Sequence, residues 1–122
     1  GADALAAQTV MPTTVAPDIK HEELFIRDVA ALADVVDVSN NLSCDRYRTA
    51  YGHLIVHQEN LGEFFKNNTL ADSVAPIVEE GIVINNRCSN VEQGGELDLN
   101  ANISDLLELD AALQTFLEAN AN

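Results

Sequence analysis

Two cysteines, Cys44 and Cys88, constrain this chain more than any other feature. They sit in Ser43-Cys44-Asp45 and Asn86-Arg87-Cys88-Ser89, and two apolar-periodic stretches run between them. Each thiol stands at the expected end of a helix, in polar company and outside the apolar stripes. That placement favours a disulfide over two buried free thiols. Joining the sulfurs turns two helices and their connection into one closed loop. In the chain-entropy account a loop of this length stabilises the fold by about 4 kcal/mol. A structural disulfide implies an oxidising compartment, so the chain is expected to be periplasmic or secreted.

The 122 residues are the length of one domain, and 47% of them are hydrophobic, enough for a core. Aromatics make up only 5% and Trp is absent, so that core must be mainly aliphatic. No apolar run approaches the ~20 residues that cross a bilayer, and membrane insertion is not expected.

The formal net charge is -14. All Lys and Arg lie at or before Arg87, whereas Glu92, Glu96, Asp98, Asp105, Glu108, Asp110 and Glu118 follow it with no base among them. Such a field repels nucleic acid and anionic membrane surfaces and suits a protein partner with a cationic surface. Glu92, Glu96, Asp98, Asp105 and Glu108 are the candidate partner-binding residues. The same charges also serve solubility.

Residues 1–17 are rich in Ala, Thr and Pro. Pro12 and Pro17 with β-branched neighbours oppose a helix, so an extended arm or linker is expected there, conceivable as a lipoprotein tether. No basic region precedes an apolar stretch, and Gly1-Ala2-Asp3-Ala4 fits what remains after a secretory leader is removed. A first helix is predicted over about 18–40, with Phe25, Val29, Leu32 and Val36 on one face. A second is predicted over about 44–67, capped by Ser43, with Tyr47, Tyr51, Leu54, Ile55, Leu61 and Phe65 as its stripe. Gly52 and Gly62 lie inside that pattern, and close approach of another backbone is the expected reason. A third helix is predicted over about 74–88, capped by Ser73 with Pro76 in its first turn, although Ile82-Val83-Ile84 also suits a strand. Residues 97–104 alternate apolar and polar as a short extended piece. Asn102 or Ser104 then caps a last helix to about 119, with the stripe Leu106, Leu109, Leu113, Phe116 and Leu117. Four amphipathic helices must bury their stripes on one another. The expectation is an all-α, four-helix up-and-down-like bundle over 18–122, with one disulfide and an extended N-terminal arm.

Chemistry is sparsely signalled. His53 and His57 are four apart on the second helix, on one side of it, as a helical metal pair requires. Asp45, Asn60 or His21 would have to add ligands, and no Glu follows His53 as in the metalloprotease helix. Asp98, Asn100, Asn102 and Ser104 have the alternate spacing of oxygen ligands that opens a calcium loop. Ile103 and Leu109, however, stand where that loop needs Gly and a bidentate Glu. Asn102-Ile103-Ser104-Asp105-Leu106-Leu107 resembles the loop-to-helix entry of dockerin modules, without their Asp-Gly. No Gly-rich phosphate loop and no Cys-x-x-Cys occur. Ser43 and Ser73 are accounted for as caps, so neither enzymatic activity nor a cofactor is expected.

The layout from Leu42-Ser43-Cys44-Asp45-Arg46-Tyr47 to Ile82-Val83-Ile84-Asn85-Asn86-Arg87-Cys88, followed by a closing helix, resembles small periplasmic disulfide-stapled helical proteins. These are HdeA-type acid-stress chaperones and related helical immunity proteins. The resemblance covers roughly residues 42–110, and the long first helix and the lack of Trp depart from it. It implies an extracytoplasmic helical protein. The function expected first is non-enzymatic binding or inhibition through an acidic surface. One alternative is an acid-responsive chaperone, loosened as protonation moves the charge from -14 towards +9, the sum of six Lys and Arg and three His. The other is a metal-binding protein using the His pair.

Overall fold

Amphipathic stripes on four helices can be buried only against one another, and the architecture follows from that. The computed structural model describes residues 17–60 and 70–120. Helix α1 spans Pro17–Val35, α2 Cys44–Asn60, α3 Leu70–Cys88 and α4 Leu99–Ala119. Two very short strands, β1 (Leu42–Ser43) and β2 (Glu96–Leu97), pair antiparallel with Leu42 opposite Leu97 and Ser43 opposite Glu96. Each helix packs on the next, and α4 closes against α1. This is the expected all-α four-helix bundle with its disulfide. The N-terminal arm, the second helix beyond Asn60 with Gly62 and Phe65, and the side chain of His21 lie outside the described residues.

The core is where the 3.6-residue period puts it. Phe25, Val29, Leu32 and Val36 of the α1 side are buried, as are Tyr47, Tyr51 and Leu54 of α2. Leu106, Leu109, Leu113 and Phe116 of α4 complete the opposite wall. Phe25 and Phe116 meet edge to face with ring centroids 5.6 Å apart, locking α1 to α4. Burial of each such side chain stabilises the fold by about 1.5–3 kcal/mol.

Element boundaries differ from the sequence expectation for identifiable reasons. Helix α1 stops at Val35, short of residue 40, because Asp37 turns the chain with its own carboxylate. Its Oδ1 accepts from the Ser39 amide at 2.9 Å and its Oδ2 from Asn40 Nδ2 at 2.7 Å. Helix α3 begins at Leu70, four residues earlier than expected. Ser73 is therefore inside it and does not cap it, and Pro76 lies in the interior, where its missing N–H costs a helical bond. Ile82-Val83-Ile84 is helical. The extended piece shrinks to Glu96–Leu97, and the cap of α4 is Asp98, not Asn102 or Ser104. Asp98 Oδ1 accepts from the Asn100 amide at 2.8 Å, and Asn41 Oδ1 accepts from the Leu99 amide at 2.8 Å. With two side-chain acceptors waiting, the helix starts as soon as the strand ends. Ser43 caps α2 as expected, its Oγ accepting from the Arg46 amide at 3.4 Å.

Cys44 is the first residue of α2 and Cys88 the last of α3, both buried, with Cα atoms 5.3 Å apart. Around the bridge the two connections are tied together. The Cys44 amide donates to the Gly95 carbonyl at 3.2 Å, and the Gly94 amide to Asp45 Oδ2 at 2.9 Å. Gly94 takes φ +83°, a conformation that glycine adopts without strain.

Candidate binding groove

Among the described residues, helix pairs α1–α2 and α3–α4 pack most extensively, and the α2–α3 and α1–α4 seams less so. Beside the shared core, a covalent bond and polar contacts cross the α2–α3 seam. The disulfide closes one end. Along it, Tyr47 Oη donates to the Gly81 carbonyl at 2.6 Å, and Tyr51 Oη donates to the Val78 carbonyl at 2.9 Å. The two rings stack with centroids 5.6 Å apart. Burial pushes the Tyr51 hydroxyl up to about 12 and raises that of Tyr47 further, so both phenols stay protonated and donate throughout the physiological range. Gly81 makes this approach possible. A Cβ there would collide with the Tyr51 ring and sit 3.2 Å from the Tyr47 oxygen.

Beside these contacts an open groove of about 710 Å³ separates the exposed faces of α2 and α3. Its α2 wall is Arg48, Tyr51, Gly52, Ile55 and Val56, and its α3 wall is Val78, Glu79, Ile82 and Asn85. Val56 and Ile82 are 54% and 42% exposed, high for aliphatic side chains facing each other across a recess. Arg48 is turned toward the closed end, its Nη1 donating to the Cys88 carbonyl at 3.5 Å. Gly52 departs from expectation: among the described residues no packing neighbour lies within 4 Å of a Cβ placed on it. A close approach occurs at Gly81 instead, and it is made by the side chains of Tyr47 and Tyr51, not by a backbone. A glycine within the apolar face of α3 was the available signal.

The candidate acidic residues divide into two groups. Glu92, Glu96 and Asp98 are exposed around β2, at the disulfide end. Asp105 and Glu108 lie on α4 against α3. Arg87 holds Asp105 through Nη2 at 2.6 Å and donates from Nη1 to Asn102 Oδ1 at 2.6 Å. Glu108 is hydrogen-bonded to Glu80 of α3. Desolvation first, then the charge of Glu108, Asp105 and Glu79, raises the Glu80 carboxyl above its ordinary value.

The histidines face α1 one turn apart. His57 Nδ1 pairs with Asp28 Oδ2. His53 instead lines a second recess, of about 580 Å³, with Asp34, Asp45 and Arg46. Asp98, Asn100, Asn102 and Ser104 follow one another through the start of α4. Asp98 Oδ1 caps the helix, and Asn102 is buried with its oxygen on Arg87 and its Nδ2 donating to the Asp98 carbonyl at 2.7 Å. Among the described residues, no three His, Cys, Asp or Glu side chains gather as a metal site. No helix among them is long and apolar enough to cross a membrane.

Fold and groove thus define a disulfide-closed four-helix protein with an apolar recess on its α2–α3 seam. Protein-family models, curated proteins and solved structures yield no match to this chain.

Proposed function

We propose that this chain is a non-enzymatic binding or inhibitory protein of an oxidising, extracytoplasmic compartment, periplasmic or secreted, and that its partner presents a cationic surface. The α2–α3 groove is the observation that carries this proposal. It is concave and mainly apolar, with Val56 and Ile82 exposed on its walls. Alkyl walls of this kind grip side chains of another molecule and offer little to activate a bond. The buried Cys44–Cys88 bridge supports the compartment, since such bonds persist where thiols are kept oxidised. The -14 charge supports the partner's sign and disfavours association with nucleic acid.

Affinity capture from the extracytoplasmic fraction of the host, at low and moderate salt, tests it. The expected result is a basic protein retained by the oxidised chain and eluted by salt. Its retention should fall when Glu92, Glu96, Asp98 and Glu108 are changed to Lys. A chain that retains nothing salt-sensitive, or retains the same protein after charge reversal, does not serve this function.

A further inference from the structure

We propose that Asn41 is the attachment site of an N-linked glycan, carried on its Nδ2 beside the disulfide. The proposal rests on the extracytoplasmic compartment proposed above and is independent of the partner.

An N-glycosylating transferase reads Asn-x-Ser or Asn-x-Thr, with any residue but Pro between, and in a secreted protein the occupied pattern stands on a surface loop. The pattern occurs three times, at Asn41-Leu42-Ser43, Asn67-Asn68-Thr69 and Asn102-Ile103-Ser104. The second lies outside the described residues, and the structure separates the other two. Asn102 is buried on α4, its Nδ2 donating to the Asp98 carbonyl at 2.7 Å and its Oδ1 accepting from Arg87. A sugar on that nitrogen finds no room while α4 is formed.

Asn41 is the opposite case. It is exposed in the connection between α1 and β1. Its Oδ1 accepts from the Leu99 amide at 2.8 Å. A backbone N–H bonds only the oxygen of a side-chain amide, so this contact fixes which atom is which. It leaves Nδ2 with no hydrogen-bond partner among the described residues. Asn41 borders an open polar recess of about 540 Å³, shared with Ser39, Asn40, Glu96 and Asn100. A glycosylated amide keeps its oxygen as an acceptor, so the cap on α4 and the sugar are compatible.

The segments outside the described residues are attached far from Asn41. Residues 61–69 join the distant ends of α2 and α3, and nine residues going out and returning reach about 15 Å. Helix α2 has 17 residues, about 25 Å, and Asn41 lies before its first. Residues 1–16 join at Pro17, the distant end of the 19-residue α1.

The transfer is a displacement at the anomeric carbon of an oligosaccharide carried on a lipid pyrophosphate. A bond forms from Nδ2 to that carbon, and the bond from the carbon to the pyrophosphate oxygen breaks. The nitrogen gives up one proton to solvent and the lipid pyrophosphate leaves. Nothing is oxidised or reduced.

The test is made on the full chain recovered from the extracytoplasmic fraction of its host, with its disulfide verified. Enzymatic release of N-glycans in water labelled with heavy oxygen converts each occupied Asn to a labelled Asp, and peptide mass spectrometry reads the position. The expected result is the label at Asn41 and none at Asn102. Asn41→Gln and Ser43→Asn, expressed in the same host, are each expected to lose the label. Ser43→Asn keeps the fold, because Asn caps a helix as well as Ser does and the Asn41 side chain is untouched. An unlabelled Asn41 in the oxidised chain overturns the glycan site and leaves the compartment standing. A label at Asn41 that survives Ser43→Asn overturns it as well. A chain found reduced in the cytoplasm ends compartment and site together.

Discussion

Tyr47 Oη donates to the Gly81 carbonyl at 2.6 Å, and the same glycine is the one residue of α3 that lets the Tyr47–Tyr51 stack lie against the helix. Adding a methyl group there drives it into the Tyr51 ring. Gly81→Ala is therefore expected to destabilise the fold by about 1–2 kcal/mol, overpacking outweighing the gain in helix propensity. Tyr47→Phe should cost about 1 kcal/mol through the lost hydrogen bond. Urea denaturation followed by circular dichroism measures both. A Gly81→Ala protein as stable as wild type would mean that the tyrosines do not press on α3.

The chain has two tyrosines and no tryptophan, so tyrosinate absorbance reports on this seam alone. With folded values raised, the contribution of these groups to stability is fully present below their unfolded value near 10. It is lost as pH rises through the folded value, about 12 for Tyr51. Ionisation is expected to be delayed in the native protein and to coincide with unfolding between about pH 10 and 12. Two phenols titrating freely near 10 in a still-folded chain would contradict the hydrogen bonds to Gly81 and Val78.

Reduction of Cys44–Cys88, or replacement of both residues by Ser, is expected to remove up to about 4 kcal/mol, since the bridge closes a sequence separation of 44. Thermal melts with and without reductant measure the loss, and mass spectrometry of the alkylated chain counts the thiols. An unchanged melting temperature would show that the polar contacts hold the seam unaided.

Glu80 gives a pH dependence of the opposite direction from ordinary acid denaturation. Its carboxyl is raised by burial and by Glu108, Asp105 and Glu79, so the native state binds this proton more tightly than the unfolded chain does. The resulting stability is complete below the unfolded carboxylate value and lost as pH rises through the folded one. Mild acidification from neutrality is therefore expected to raise the melting temperature, and Glu80→Gln to raise it at pH 7 and flatten the rise. Thermal melts across pH 5–8 decide. The same result bears on an acid-responsive chaperone, because loosening would then have to set in below about pH 5, where ordinary carboxylates take up protons. Client-aggregation assays there test that alternative.

Much of this architecture was legible in the residues, for a local reason. Phe25, Val29, Leu32 and Leu106, Leu109, Leu113 recur at helical spacing, and the period alone names their buried face. Cys44 and Cys88 marked helix ends because polar neighbours surround both. What was hidden depended on contacts across the chain. The end of α1 is the exception, a local turn in which Asp37 accepts from Ser39 and Asn40 two and three residues on, as Asp commonly does. The start of α4 was fixed partly by Asn41, far away in sequence. Whether Gly52 or Gly81 met a neighbour depended on how α2 sits against α3, a relation between helices. For the same reason the groove could not be foreseen: Ile82 and Ile84 are alike in type, but only Ile84 is buried.

The disulfide, the Leu42–Leu97 and Ser43–Glu96 pairs and the Gly94–Asp45 bond all gather at one pole of the molecule. Fraying of α2 and α3 is thereby polarised. Backbone amides next to Cys44 and Cys88 should be the last to exchange with deuterium, and the helices should unzip toward the sulfurs from their distant ends.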